Sequence, residues 1–140
     1  MDKELEEKFR IFEREIMQIQ QELQAVEAAL IDLGKINLGL DEIKDKKDSE
    51  ILAQIGRGIF VKAKLLSDEL TVDVGDGNFV KKTIPETKDL IEEQVQKLDS
   101  MKNELEGELD RINQEITQAL IAHKEKENPH DKNSHEGHNH

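Results

Sequence analysis

The most constraining feature of this 140-residue chain is a spacing. From Leu5 through Phe9, Phe12, Ile16, Ile19, Leu23, Val26 and Leu30 to Leu33, apolar residues recur at alternating steps of 4 and 3. A helix turns once per ~3.6 residues, so that alternation lays all nine side chains along one narrow stripe. The spacing predicts a coiled-coil helix over the first arm, with one seam for one partner helix. After Leu33 the stripe continues most readily through Ile36, Leu40 and Ile43, a slip of register accompanied by Gly34 and Gly39. The highly charged run DEIKDKKDSE (41–50) closes the arm.

A second arm begins at Thr83-Ile84-Pro85-Glu86. Thr83 and Glu86 stand at capping-box spacing, and Pro85 falls in the first turn, where its missing N–H costs nothing. Ile91, Val95, Leu98, Met101, Leu105, Leu109, Ile112, Ile116 and Ala119 form its stripe, with a stutter around Leu105. The pattern fades past Leu120-Ile121-Ala122. Two arms of matched length are expected to fold back antiparallel, with Ile16 beside Ile116 and Leu23 beside Leu109. Neither arm has a second continuous apolar face, which favours a two-helix hairpin over a bundle.

Between the arms the period changes from helical to 2. In "ILAQIGRGIFVKAKL" (51–65), Ile59, Val61, Ala63 and Leu65 alternate with polar partners after Gly56-Arg57-Gly58; in "LTVDVGDGNFVKKT" (70–83), Leu70, Val72 and Val74 lead to Asp76-Gly77 and the return through Phe79-Val80. These read as two β-hairpins. An isolated hairpin is marginal in water, and open strand edges are a pairing liability unless used. The strands are therefore expected to assemble subunits through Ile51, Ile55, Ile59, Phe60, Val61, Leu65, Leu70, Val72, Val74, Phe79 and Val80. The resulting division is arm one (1–50), oligomerisation segment (51–83), arm two (84–122) and a flexible His-rich tail (123–140).

Composition excludes several classes of function. Charged residues make up 37% and aromatics only 3%, with no cysteine, so disulfide frameworks and thiolate metal or redox sites are ruled out. The net charge of −12 is carried mostly by the arms, each at −6, whereas residues 51–83 sum to +1. Phosphate backbones are repelled by such arms, so nucleic acid is not an expected partner. No apolar run approaches the ~18–20 residues of a membrane span, and the N-terminus does not read as a signal peptide; a soluble, cytoplasmic protein is expected.

Catalysis finds no support in the sequence. No serine has an activating His nearby outside the tail, and the glycines at 56, 58, 75 and 77 precede no phosphate-binding helix. No enzyme, cofactor or metal site is expected. The tail does hold His130, His135, His138 and His140, a composition that binds transition metals opportunistically and that a solubilising segment also explains. His123 is expected to face solvent.

The segments "ILAQIGRGIFVKAKL" and "VDVGDGNFVKKTIPET" (72–87), set between heptad arms, resemble the alpha-type subunits of the archaeal prefoldin family. Gln54 departs from the proline common there. The resemblance covers about residues 2–122 and implies a mostly α fold: a long antiparallel two-helix coiled coil with two β-hairpins at the connection. It further implies a hetero-hexamer of two alpha and four beta-type subunits, whose hairpins join in intersubunit β-barrels. Such a complex binds unfolded client proteins without ATP, through its coiled-coil ends, and passes them to a group II chaperonin. Carried onto this chain, and combined with the antiparallel register, the client-binding tips fall on Leu5, Phe9, Phe12, Ile116, Ala119, Leu120 and Ile121. The competing reading is a structural tether, assembled by the same hairpins, that binds fixed partners and no unfolded chain.

Overall fold

The computed structural model describes residues 2–127. In chain order it contains α1 (Lys3–Ile43), β1 (Glu50–Gly56), β2 (Ile59–Lys64), β3 (Leu70–Asp73), β4 (Phe79–Lys82) and α2 (Ile84–Glu127). These form two compact units. One comprises α1 as far as Val26 together with α2 from Ser100 onward; the other is Glu27–Asp99.

Both helices start on caps. Asp2 accepts a hydrogen bond from the Leu5 N–H at 2.8 Å, and its carbonyl accepts the Glu6 N–H at 3.1 Å. At the head of α2 the expected capping box is present: the Thr83 N–H donates to Glu86 Oε1 at 2.9 Å and the Glu86 N–H to Thr83 Oγ1 at 3.2 Å. α2 runs to Glu127, past the boundary drawn at Ala122. The added turn holds Lys124 and Lys126, cations that suit the negative end of the helix dipole.

The seam is more regular than its apolar residues suggest. On α1 the most buried positions are Leu5, Phe12, Ile19, Val26 and Leu40, at multiples of seven residues. Phe9, Ile16, Leu23 and Leu30 between them are half-buried. Past Leu33, Leu40 is buried and Ile43 half-buried as expected, but between them and Leu33 it is Asn37 that is half-buried, whereas Ile36 is exposed. There is thus no slip: the heptad runs straight through a polar residue. A lone asparagine at a seam position fixes register and partner number at some cost in stability.

α2 shows the same substitution of role. Leu98, Lys102, Leu105, Leu109, Ile112 and Ile116 are its covered positions, whereas Met101 is exposed. The stutter disappears because the half-buried Lys102 keeps the 4–3 alternation, a position a lysine suits by burying its methylene stem and leaving its charge in water. Within the first unit, Asp2 interacts with Lys126, and Phe12 shares a groove with Glu115 and Ala119. Both observations agree with the antiparallel arrangement expected of the two arms. In the second unit Lys88 of α2 is ion-paired with Asp41 of α1.

The hairpins are two separate two-stranded antiparallel sheets, β1–β2 and β3–β4. The charged link out of α1 reverses the chain through Asp45 and Asp48, both left-handed at φ 60° and 68°. Main-chain bonds from Asp48 N–H to the Leu65 carbonyl and from Leu65 N–H to the Ser49 carbonyl extend the β1–β2 ladder past Lys64. In the second hairpin Asp73 Oδ1 accepts the Gly75 N–H at 2.8 Å, and Asp76 and Gly77 take positive φ. Asp-Gly at such a turn is what a backbone with φ > 0 selects.

Candidate functional site: the hairpin faces and the ends of the helices

Directly opposed residues of an antiparallel ladder point to the same face. In β1–β2, Ile51 opposes Ala63 and Ala53 opposes Val61 on one face; Leu52 opposes Lys62 and Gln54 opposes Phe60 on the other. In β3–β4, Val72 opposes Val80 and Leu70 opposes Lys82, and on the reverse Asp73 opposes Phe79. Each hairpin therefore has an aliphatic face and a second face carrying a phenylalanine. A strand meant to be wetted on one side does not look like this; near-continuous apolar runs such as Ile59-Phe60-Val61 belong to strands covered on both sides.

Within this chain the faces carrying the phenylalanines are open and the aliphatic faces only partly covered. Phe79 is 64% exposed, and Phe60, Ile55, Ile59, Val61, Val74 and Val80 are exposed as well. Ile51, Leu65, Leu70 and Val72 are half-buried. Sequence reasoning missed Leu52 and Leu66, both strongly exposed. Leu52 alternates to the face taken to be polar, and the doublet Leu65-Leu66 was the only trace of the latter. Arg57 and the Lys81–Glu69 pair, at 3.7 Å, add surface charge around these faces.

At the first residues of α1 and the last turns of α2, the seam is closed more completely than its terminal place suggests. Leu5 and Phe12 are buried, and Phe9, Ile116 and Ala119 half-buried. The Phe9 and Phe12 rings stack at a tilt, centroids 6.3 Å apart. Leu120 and Ile121 lie outside the seam and are exposed, as is Ile11, which the heptad reading passed over. Over the small side chains of Ala119 and Ala122, a groove of about 520 Å³ opens, with Leu5 and Ile11 on its other side. Asp2, Glu4, Glu7, Lys8, His123 and Lys126 rim it. The Asp2 carboxyl is held below the usual carboxylate range chiefly by the Leu5 N–H; burial opposes this, and the charges of Lys126 and His123 add smaller lowering effects.

Among the described residues no cluster of His, Asp or Glu is arranged to hold a metal ion, and no helix is long and apolar enough to cross a membrane. His130, His135, His138 and His140, whose composition suits opportunistic metal binding or a solubilising tail alike, lie outside the described residues.

Three comparisons bear on this arrangement. The family model described as prefoldin subunit matches residues 12–128. Prefoldin subunit alpha of Methanobrevibacter smithii is 30% identical over 95 residues, covering 67% of this chain and 60% of its own length. Prefoldin subunit alpha 1 of Methanocaldococcus jannaschii is 27% identical over 94 residues, covering 67% of this chain and 65% of its own. The chain thus spans less than two thirds of these curated relatives. A chain of a filamentous PFD from Methanocaldococcus jannaschii, solved by cryo-EM, superposes with a TM-score of 0.73 at 22% identity, over 84% of this chain and 98% of that one. That likeness establishes the fold: two long helices with two antiparallel hairpins between them.

Proposed function

The chain belongs to the prefoldin subunit family, alpha type, and from that premise we infer that it is one subunit of an ATP-independent chaperone that holds unfolded proteins. Its hairpins join those of beta-type subunits, two alpha to four beta, so that both faces of each sheet are covered. The ends of its helices grip the client, and the complex passes that client to a group II chaperonin. The compartment proposed is the cytoplasm.

One observation carries the client-holding part. Ile11 is exposed and lines an open groove, and Leu120 and Ile121 are exposed on the last turns of α2, on helix surfaces the seam does not use. Exposed apolar groups bury against any unfolded chain without directional demands, at about 25 cal/mol per Å². A single such site is weak, and several subunits sharing one client supply avidity. Leu5 and Phe12, buried here, contribute when the terminal turns fray, since opening energies are smallest at helix ends.

The test is suppression of aggregation. Ile11→Ser, Leu120→Ser and Ile121→Ser combined should weaken suppression for unrelated denatured proteins while leaving the assembled mass unchanged. Full suppression by the triple variant would remove the tips from the mechanism. Stoichiometric binding to one folded surface, with no effect on aggregation, would instead make the protein a tether.

A further inference from the structure

Apart from the seam, the hairpins and the ends of the helices, α1 carries a further exposed apolar surface. Twelve of the first 27 residues are charged, but between Glu27 and Asp41 only Asp32 and Lys35 are. In that stretch Ile31 is 60% and Leu38 65% exposed, more than any large apolar residue at the ends of the helices except Met17. They stand seven residues apart, two turns along one face of α1, and Gly34 lies between them at the intervening turn.

Gly34 is the second observation. It is in regular helix, where glycine costs about 1 kcal/mol relative to alanine. A Cβ at Gly34 would meet nothing within 4 Å, so nothing in this chain requires the gap. Gly107 on α2 is equally open, but its neighbours are Glu106 and Glu108 and no exposed apolar residue flanks it. Among the open glycines of the described helices, which include Gly39, only Gly34 has large, strongly exposed apolar side chains one turn away on both sides.

We propose that Ile31, Gly34 and Leu38 form a contact face for a second copy of this chain. The pattern large–small–large is symmetric about Gly34. A two-fold axis there sets Ile31 of each copy against Leu38 of the other, the self-matching a two-fold interface demands. Absence of a side chain at the centre lets the two helices approach to the short end of the usual 8–10 Å range. Charge points the same way. The segment 28–40 holds one acid and one base in a chain of net charge −12, so two copies repel each other least here. The stripe also lies in the same compact unit as the hairpins, Glu27–Asp99, whose sheets need other subunits. This contact rests on the hairpin-assembly reading above and adds to it; alone it is too small for a stable dimer.

The chain has no cysteine, so Gly34→Cys introduces a unique thiol. A disulfide needs Cα atoms within about 7 Å. Under mild oxidation the Gly34→Cys variant should form a covalent dimer at least about tenfold faster than Gly107→Cys, and adding Ile31→Glu with Leu38→Glu should remove that advantage. Circular dichroism confirms that each variant keeps its helices. Equal rates for the two cysteine positions would overturn the proposal. So would a cysteine-reactive photo-crosslinker at position 34 that captured an added beta-type subunit in place of a second copy. Native mass of Phe60→Glu with Phe79→Glu reads hairpin assembly separately: its loss alongside equal cross-linking rates would leave the hairpin reading standing and the α1 contact refuted.

Discussion

The helical seam and the hairpins solve the same problem in opposite ways. Ile112, in the seam, is 0% exposed within a single chain, and Phe12, Ile19, Val26 and Leu105 are buried as well. Phe79, in a hairpin, is as apolar and remains open on a strand only four residues long. A two-helix seam brings its own cover, because each arm carries the same heptad. A two-stranded sheet has two faces and two edges and can cover none of them. The difference teaches that apolar residues of equal hydrophobicity stabilise different objects: the seam stabilises the chain, and the hairpins stabilise an assembly.

Truncating the seam should break the chain first. Ile112→Ala is expected to cost about 2–5 kcal/mol of helix-melting stability, the range for a fully buried aliphatic residue. Phe79→Ala should leave the melt of the isolated chain nearly unchanged. If the two variants melted alike without partners, the contrast would be wrong. Assembly should show the reverse order. Phe60→Glu with Phe79→Glu should weaken association with beta-type subunits by about 2–4 kcal/mol, the scale of a central interface anchor, read by native mass or sedimentation.

Smaller effects sharpen the picture. Thr83→Ala removes one half of the capping box and should lower stability by about 1 kcal/mol. Lys102→Leu should raise it by about 1 kcal/mol, since the layer gains apolar contact and loses no buried partner. Its mirror on the other arm, Asn37→Leu, should also raise the melting temperature while admitting higher oligomers in sedimentation.

The smallest effect is electrostatic. Glu86 is held below the ordinary glutamate pKa, first by the Thr83 N–H and then by the Thr83 hydroxyl, with a lesser opposing effect of burial. Because the folded value is the lower one, the stabilisation is present above the ordinary glutamate pKa and is lost as pH falls through the folded value. Acid titration of the melting temperature should therefore be shallower for Glu86→Gln than for the unsubstituted chain.

Much of the seam was legible because heptad spacing is a direct copy of helix geometry. Leu5 to Leu33 and Leu105 to Ala119 all lie on the packed side. Reading failed where a polar residue held a seam position. Hydrophobicity points to Ile36 and Met101, whereas the covered positions, Asn37 and Lys102, are the ones that keep the 4–3 alternation. The tip was legible in composition and not in exposure. Leu5 and Phe12 differ from Leu120 and Ile121 only in which side of a helix they occupy, and the register of the partner helix settles what covers them. The stripe at Ile31 and Leu38 left a trace in the missing charges of 28–40, which an inventory of apolar spacing overlooks.

The amino-acid sequence by itself determined the elements, their order and their caps, since periodicity, turn chemistry and capping act over a few neighbouring residues. Tertiary structure alone decided the cross-helix register, the polar layers at Asn37 and Lys102, and which apolar side chains stay open. Those depend on distant parts of the chain meeting, and burial is a property of the pair in contact, never of one residue.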